Sequence, residues 1–209
     1  MKKGIIFLQV LISTTVLAEF NDFFLDKSLR IDYYHAGNHE TEDYYLDEVK
    51  IEPFWAGSQV NLIDTFFYGQ NYVNVEDHLT GKLLYSRGYS TLFGEWQTTD
   101  EAKKISRALT ETILVPLPKM VANIQIYSRN KKGELEERFI YQYDPANYFI
   151  STDQRMEYPA FDVLISGPPQ KKVDIVILPE GYDESELGVF IKDCEKFADI
   201  LFSFEPYAG

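Results

Sequence analysis

Two histidines and three acids fall within nine residues, at His35, His39, Glu40, Glu42 and Asp43, and imidazole and carboxylate are both zinc ligands. Gly37 and Asn38 between them mark a turn between strands, and a two-histidine turn without a third fixed ligand is expected to hold no metal. A second candidate is Pro179-Glu180-Gly181-Tyr182, which follows an apolar run as a nucleotide-binding turn would. The glycines of G-x-G-x-x-G are missing, so the reading is a tight strand-to-helix turn. Cys194 is the single cysteine, with no histidine near it in sequence. It is read as a buried small hydrophobe, not a nucleophile. Arg87 and Glu95 are candidates for a buried ion pair that sequence alone leaves undecided. Aromatic residues make up 15% of the chain and cluster as Tyr33-Tyr34, Tyr44-Tyr45, Phe54-Trp55 and Phe66-Phe67-Tyr68. Exposed rings on a β-sandwich stack on sugars or anchor a protein partner. The simpler reading places one ring on each face of a strand, one buried and one half-covered. These residues give no catalytic, cofactor-binding or metal site.

The elements that must position them are mostly strands. Short segments rich in Tyr, Ile, Val and Phe, separated by Gly, Asn, Asp and Pro, predict strands over 29–35, 44–51, 71–79, 82–86, 111–117, 123–129 and 134–142. Seven strands at this spacing suggest a sandwich. Turns are expected at Leu79-Thr80-Gly81-Lys82 and at residues 129–134, with Asn130 and Gly133 supplying positive φ. Thr98 or Thr99 should cap a short helix running to Ile105, with acids in its first turn and lysines after them. Beyond this region, residues 155–167 and Pro168-Pro169 read as a connection, because consecutive prolines cannot continue a ladder. The run 173–178 is almost continuously apolar, the mark of a strand covered on both faces. Asp183 and Glu186 form a capping-box pair ahead of Leu187, Phe190, Ile191, Cys194, Phe197, Ala198 and Leu201 at helical spacing. A lone strand and helix leave most of their apolar surface wet. Either the β domain covers them or the domain they open is incomplete.

A chain of 209 residues is long enough for one or two domains with a real core. Its first residues, MKKGIIFLQVLISTTVLA, combine two lysines, an uncharged run and small residues at Val16 and Ala18, so 1–18 is read as a signal peptide cleaved after Ala18. The apolar part is shorter than the ~20 residues of a bilayer span. Secretion or a periplasmic location follows, with no membrane association after cleavage. The formal charge is −13, and loss of Lys2 and Lys3 takes Lys plus Arg from 20 to 18 against 33 acids, a mature charge of −15. Such a surface argues against nucleic acid or anionic membrane as partner. One cysteine allows no disulfide within the chain.

Four stretches together resemble the secreted bacterial zinc metallopeptidases of the IgA-peptidase family: LRIDYYHAGN, EPFWAGSQVNLID, LLYSRGYSTLFGEWQTTDEAK and DIVILPEGYDESEL. The resemblance implies a mainly β, sandwich-like N-terminal domain over 19–150, a linker over 151–170, and at 171–209 the incomplete start of an α/β metallopeptidase domain. It implies zinc, and a protein substrate, for a full-length relative. In that family zinc is held by H-E-x-x-H, two histidines one helical turn apart with a glutamate that activates the metal-bound water. His35, His39 and His78 are the chain's three histidines and none stands in that motif. No catalytic or metal residue carries over, no cofactor is expected within this chain, and the partner expected for residues 171–209 is the remainder of a catalytic domain. By analogy, Glu180 would lie near a cleft of the complete enzyme. The alternative is a self-standing secreted sandwich that binds protein or glycan, with the C-terminal helix docked on it as a lid.

Overall fold

The computed structural model describes residues 20–153, 158–168 and 172–208. The signal peptide read at 1–18, the linker residues 154–157 and 169–170, and Lys171 at the start of the following segment lie outside the described residues.

All seven expected strands form: β1 (Phe24–Gly37), β2 (Glu42–Glu52), β3 (Asn71–Asp77), β4 (Leu83–Tyr89), β5 (Arg107–Pro118), β6 (Ala122–Arg129) and β7 (Leu135–Tyr143). They make two antiparallel sheets, β2-β1-β5 and β4-β3-β6-β7. The reason is written in their period. Along β6, Ala122, Ile124, Ile126 and Ser128 are buried while the residues between them are half-exposed. Along β1, Leu29, Ile31, Tyr33 and His35 are buried at the same two-residue spacing, although Ser28 and Asp32 on the other phase are buried as well. The inward faces meet in one core containing Ile31, Tyr33, Val75, Val115, Ile124 and Ile126, each fully buried. Each such aliphatic side chain contributes about 1.5–3 kcal/mol by leaving water. After the β1–β2 hairpin the chain crosses to β3 and β4, returns to lay β5 beside β1, and crosses again to lay β6 beside β3. A four-residue helix, α1 (Phe20–Phe23), precedes β1, and Phe20 packs on Phe24 with ring centroids 5.5 Å apart.

Gly81 and Gly133 adopt the expected positive φ, +67° and +81°. Asn130 does not. Its side-chain oxygen instead accepts the backbone N–H groups of Lys132 and Glu134, closing the turn from the side chain.

The short helix lies earlier than expected. It is α2 (Leu92–Trp96), capped by Thr91, whose hydroxyl accepts from the N–H of Gly94. Phe93, fully buried, anchors it. Residues 99–104 form turns instead, because Asp100, Glu101, Lys103 and Lys104 are all exposed and only Ala102 is buried. A helix there would have almost no apolar face to bury.

The C-terminal helix forms as expected. Asp183 and Glu186 make a complete capping box on a 3-10 turn, Glu184–Glu186, that leads into α3 (Leu187–Leu201), and Cys194 is its buried residue. The strand expected before it does not form. Residues 173–178 have no regular secondary structure, with Val173 90% and Val176 78% exposed. None of the described strands pairs with them; the edge of β2 is met by Ser151, which exchanges backbone hydrogen bonds with Val49 and Ile51. The docked lid is also corrected. Beyond the 3-10 turn, α3 makes no substantial packing with any strand of the sandwich.

Candidate functional site

The chemistry-bearing residues meet at one end of the sandwich, inside it. His35 points inward from β1 and is 1% exposed. Tyr33 stands opposite Glu111 on β5, His35 stands opposite Tyr44 on β2, and Glu42 lies two residues before Tyr44 on the same face. The register therefore sets a carboxylate diagonally on each side of the imidazole. Nδ1 of His35 lies 3.0 Å from Glu111 and Nε2 lies 3.1 Å from Glu42. The ring is also sandwiched, with Tyr44 at 4.1 Å and Phe93 of α2 at 3.9 Å between centroids, both nearly parallel to it.

Burial by itself would push the His35 pKa down. The hydrogen bonds to Glu111 and Glu42, with their charges, outweigh burial and raise it above the ordinary histidine value. Both carboxylates go the other way: burial would raise them, but the hydrogen bonds and charge of His35 hold Glu42 and Glu111 below the usual range. With a carboxylate at each ring nitrogen, the arrangement favours the doubly protonated imidazolium.

Its outer contacts tie the two sheets together. Glu42 pairs with Arg138 of β7 at 3.1 Å. Asn71 of β3 donates to the Tyr44 hydroxyl at 2.7 Å. The hydroxyls of Tyr33 and Tyr89, from β1 and β4, lie 3.2 Å apart. Glu111 also accepts from the N–H of Phe93, which fastens α2 to the end of the sheet. Both imidazole nitrogens are engaged, so no lone pair faces an open position. The arrangement can hold a proton and two sheets; it offers no nucleophile and no place for a substrate.

Zinc, which the family resemblance implies, does not fit these residues. His35 turns its nitrogens to two separate carboxylates, His39 lies 37% exposed in the turn beside Glu40, and His78 meets Asn123 and Gln142 on the outer face. No group of three potential metal ligands occurs among the described residues. The turn itself, at Asn38 to Thr41, is closed by the Asn38 side chain accepting the N–H groups of Glu40 and Thr41. Sequence reading placed His35 with that turn and missed Glu111, 76 residues away. One signal was available: Glu111 shares the inward phase of Ile113, Val115 and Leu117.

The other candidates separate. Arg87 and Glu95 are both exposed and form no buried pair. Tyr33 and Tyr44 are buried with Tyr34 and Tyr45 exposed beside them, one ring to each face, and Trp55 is buried beside exposed Phe54. The triplet departs from that pattern: Phe66, Phe67 and Tyr68 are all exposed, in the loop 53–70 between β2 and β3. Glu180 is exposed, Gly181 takes a positive φ of +83°, and Tyr182 donates to Asp193 of α3 at 2.9 Å.

The triplet is nevertheless held firmly. The Asp64 carboxylate accepts the N–H groups of Phe66 and Phe67, at 3.1 and 3.0 Å, and the Tyr72 hydroxyl at 2.9 Å. Arg129 donates to the carbonyls of Phe67, Gly69 and Gly133. Between these clamps Phe67 adopts φ +56°, the one non-glycine residue with positive φ among those described. An aromatic residue there is costly unless its surroundings fix it.

Over residues 19–140 the sequence matches the peptidase M64 N-terminus family. The chain belongs to that family. The matched span contains every strand through β6 and most of β7, the His35 cluster and the aromatic loop, so all of these are features of a peptidase M64 N-terminal domain. No curated protein matches the chain.

Proposed function

We propose that this M64 N-terminal domain is the non-catalytic opening domain of an exported zinc metallopeptidase resembling the IgA peptidases, acting on protein. The observation that carries the reading is the family match over 19–140. It is supported by residues 173–201, an apolar stretch and a well-capped helix whose exposed side chains include Val173, Val176, Leu178, Phe197 and Ile200. In this reading they open the catalytic domain and are covered by its further strands and helices. Zinc and hydrolysis belong to that domain, and no residue of this chain is assigned to either. Export rests on the first eighteen residues.

Two measurements test it. The nucleotide sequence beyond the Gly209 codon, in the same or a neighbouring frame, should encode more strands and an H-E-x-x-H helix; a sequence lacking both removes the proposal. The purified chain supplied with zinc should not cleave a denatured protein. Stoichiometric tight zinc with chelator-sensitive cleavage would contradict it.

A further inference from the structure

We infer that a groove on the outer face of the β4-β3-β6-β7 sheet receives a basic side chain, lysine or arginine, of a polypeptide partner. The groove is built wholly from sandwich residues, so the inference stands apart from the catalytic reading.

The strand register builds its floor. Tyr72 of β3 stands opposite Tyr127 of β6 on one side and Gly88 of β4 on the other. In the next outward row Asn74 stands between Gln125 and Ser86. Gly88 lets the aromatic loop come down onto the sheet, since a Cβ there would lie 1.8 Å from the Tyr68 carbonyl oxygen. Between loop and sheet is a groove of about 270 Å³, lined among others by Asp64, Phe67, Tyr72, Asn74, Tyr127 and Leu135. Phe67 and Tyr127 supply the more accessible rings, and Tyr72, with Phe67 stacked on it at 5.7 Å, closes the back.

The chemistry of this lining selects positive charge. Aromatic faces are the negative side of the ring quadrupole and attract ammonium and guanidinium groups. Asp64 keeps its carboxylate ionised: its partial burial would raise the pKa, but the N–H donors of the loop and the Tyr72 hydroxyl outweigh that. Asn74 lines the wall beside it. Glu76, two residues on along the same face, and Glu137, opposite Tyr127, add to the negative potential felt at the Tyr127 hydroxyl. The neighbouring cation, Arg129, does not line the groove, and its donors go to three loop and turn carbonyls. An anion would meet the Asp64 carboxylate and the negative faces of the rings, and an aliphatic side chain would gain nothing from either. The apolar walls suit the methylene stem of lysine or arginine. A polypeptide is the source that also uses the rest of the surface. Phe66 and Tyr68 stand 72% and 77% exposed beside the groove, where residues flanking the basic one would pack, and a chain of net charge −13 draws basic partners.

The test is nuclear magnetic resonance titration of the chain with a short alanine peptide bearing one central arginine, its lysine counterpart, and copies with citrulline or norleucine at the centre. Saturable shifts should appear at residues 63–67, 72–74 and 127, with citrulline and norleucine peptides binding about tenfold more weakly or worse. Phe67→Leu and Tyr127→Leu should each weaken the arginine peptide about fivefold. Far-ultraviolet circular dichroism reports whether each variant is folded, and the unsubstituted chain with the peptide series decides the question by itself. Equal binding of the norleucine peptide would overturn the inference in favour of a plain apolar slot. Tetramethylammonium binding as tightly as the peptide would overturn the polypeptide source, and no saturable shift would overturn the site.

Discussion

The sandwich and the segment after it carry equally clear apolar patterns, yet their fates differ. Val75, in β3, is fully buried, whereas Val176, in an equally apolar stretch, is 78% exposed. The strand around Val75 has hydrogen-bonding neighbours on both sides, β4 and β6, and a facing sheet. The stretch around Val176 has none among the described residues. Pattern therefore determines which face an element must bury, and a partner determines whether it is buried. α3 shows the same separation: its cap is complete, but Val189, Phe197 and Ile200 remain about half exposed.

The contrast is most sharply broken at His35. Replacing it with alanine strands two buried carboxylates and empties the space between Tyr44 and Phe93, so His35→Ala should cost about 3–5 kcal/mol in urea unfolding of the sandwich. A loss under 1 kcal/mol would mean that the cluster is not the tie between the sheets described above. Next in size, Ile124→Ala should cost about 2–5 kcal/mol, while Val176→Ala should leave the same unfolding curve unmoved. Equal losses would erase the distinction between the two regions.

The pH dependence is smaller and has two limbs. His35 is raised, so its contribution is complete below its unfolded value of about 6.5 and disappears as pH climbs through the raised folded value. Glu42 and Glu111 are lowered, so theirs is complete above an unfolded value of about 4.3 and disappears as pH falls through the lowered folded values. The cluster should stabilise the sandwich most between about pH 4.3 and 6.5. His35→Gln should flatten the alkaline limb in melts taken across pH; an unchanged limb assigns it to other groups. Smallest of all, Asp183→Ala should lower the helicity of α3, read by circular dichroism, without shifting the sandwich midpoint.

The sequence made the seven strands, the C-terminal cap and the burial of Cys194 legible because each depends on neighbours a few residues away. What it hid depends on distance along the chain. Glu111 reaches His35 only because β5 lies beside β1, a pairing across dozens of residues. The position of α2 is set by Phe93 stacking on His35, a contact invisible from Thr98 and Thr99, whose acids and lysines made a plausible but unburied helix. The aromatic triplet obeys no strand alternation because Asp64 and Arg129 hold it in a loop. Residues 173–178 had the continuous apolar run of a buried strand and no strand among the described residues to pair with.

Native-state hydrogen exchange on the whole chain tests the central contrast most directly. The amides of β1, β3, β5 and β6 should exchange together at the global unfolding free energy, while residues 173–178 exchange at nearly unprotected rates and α3 opens independently. Protection of residues 173–178 comparable to that of β3 would contradict the account.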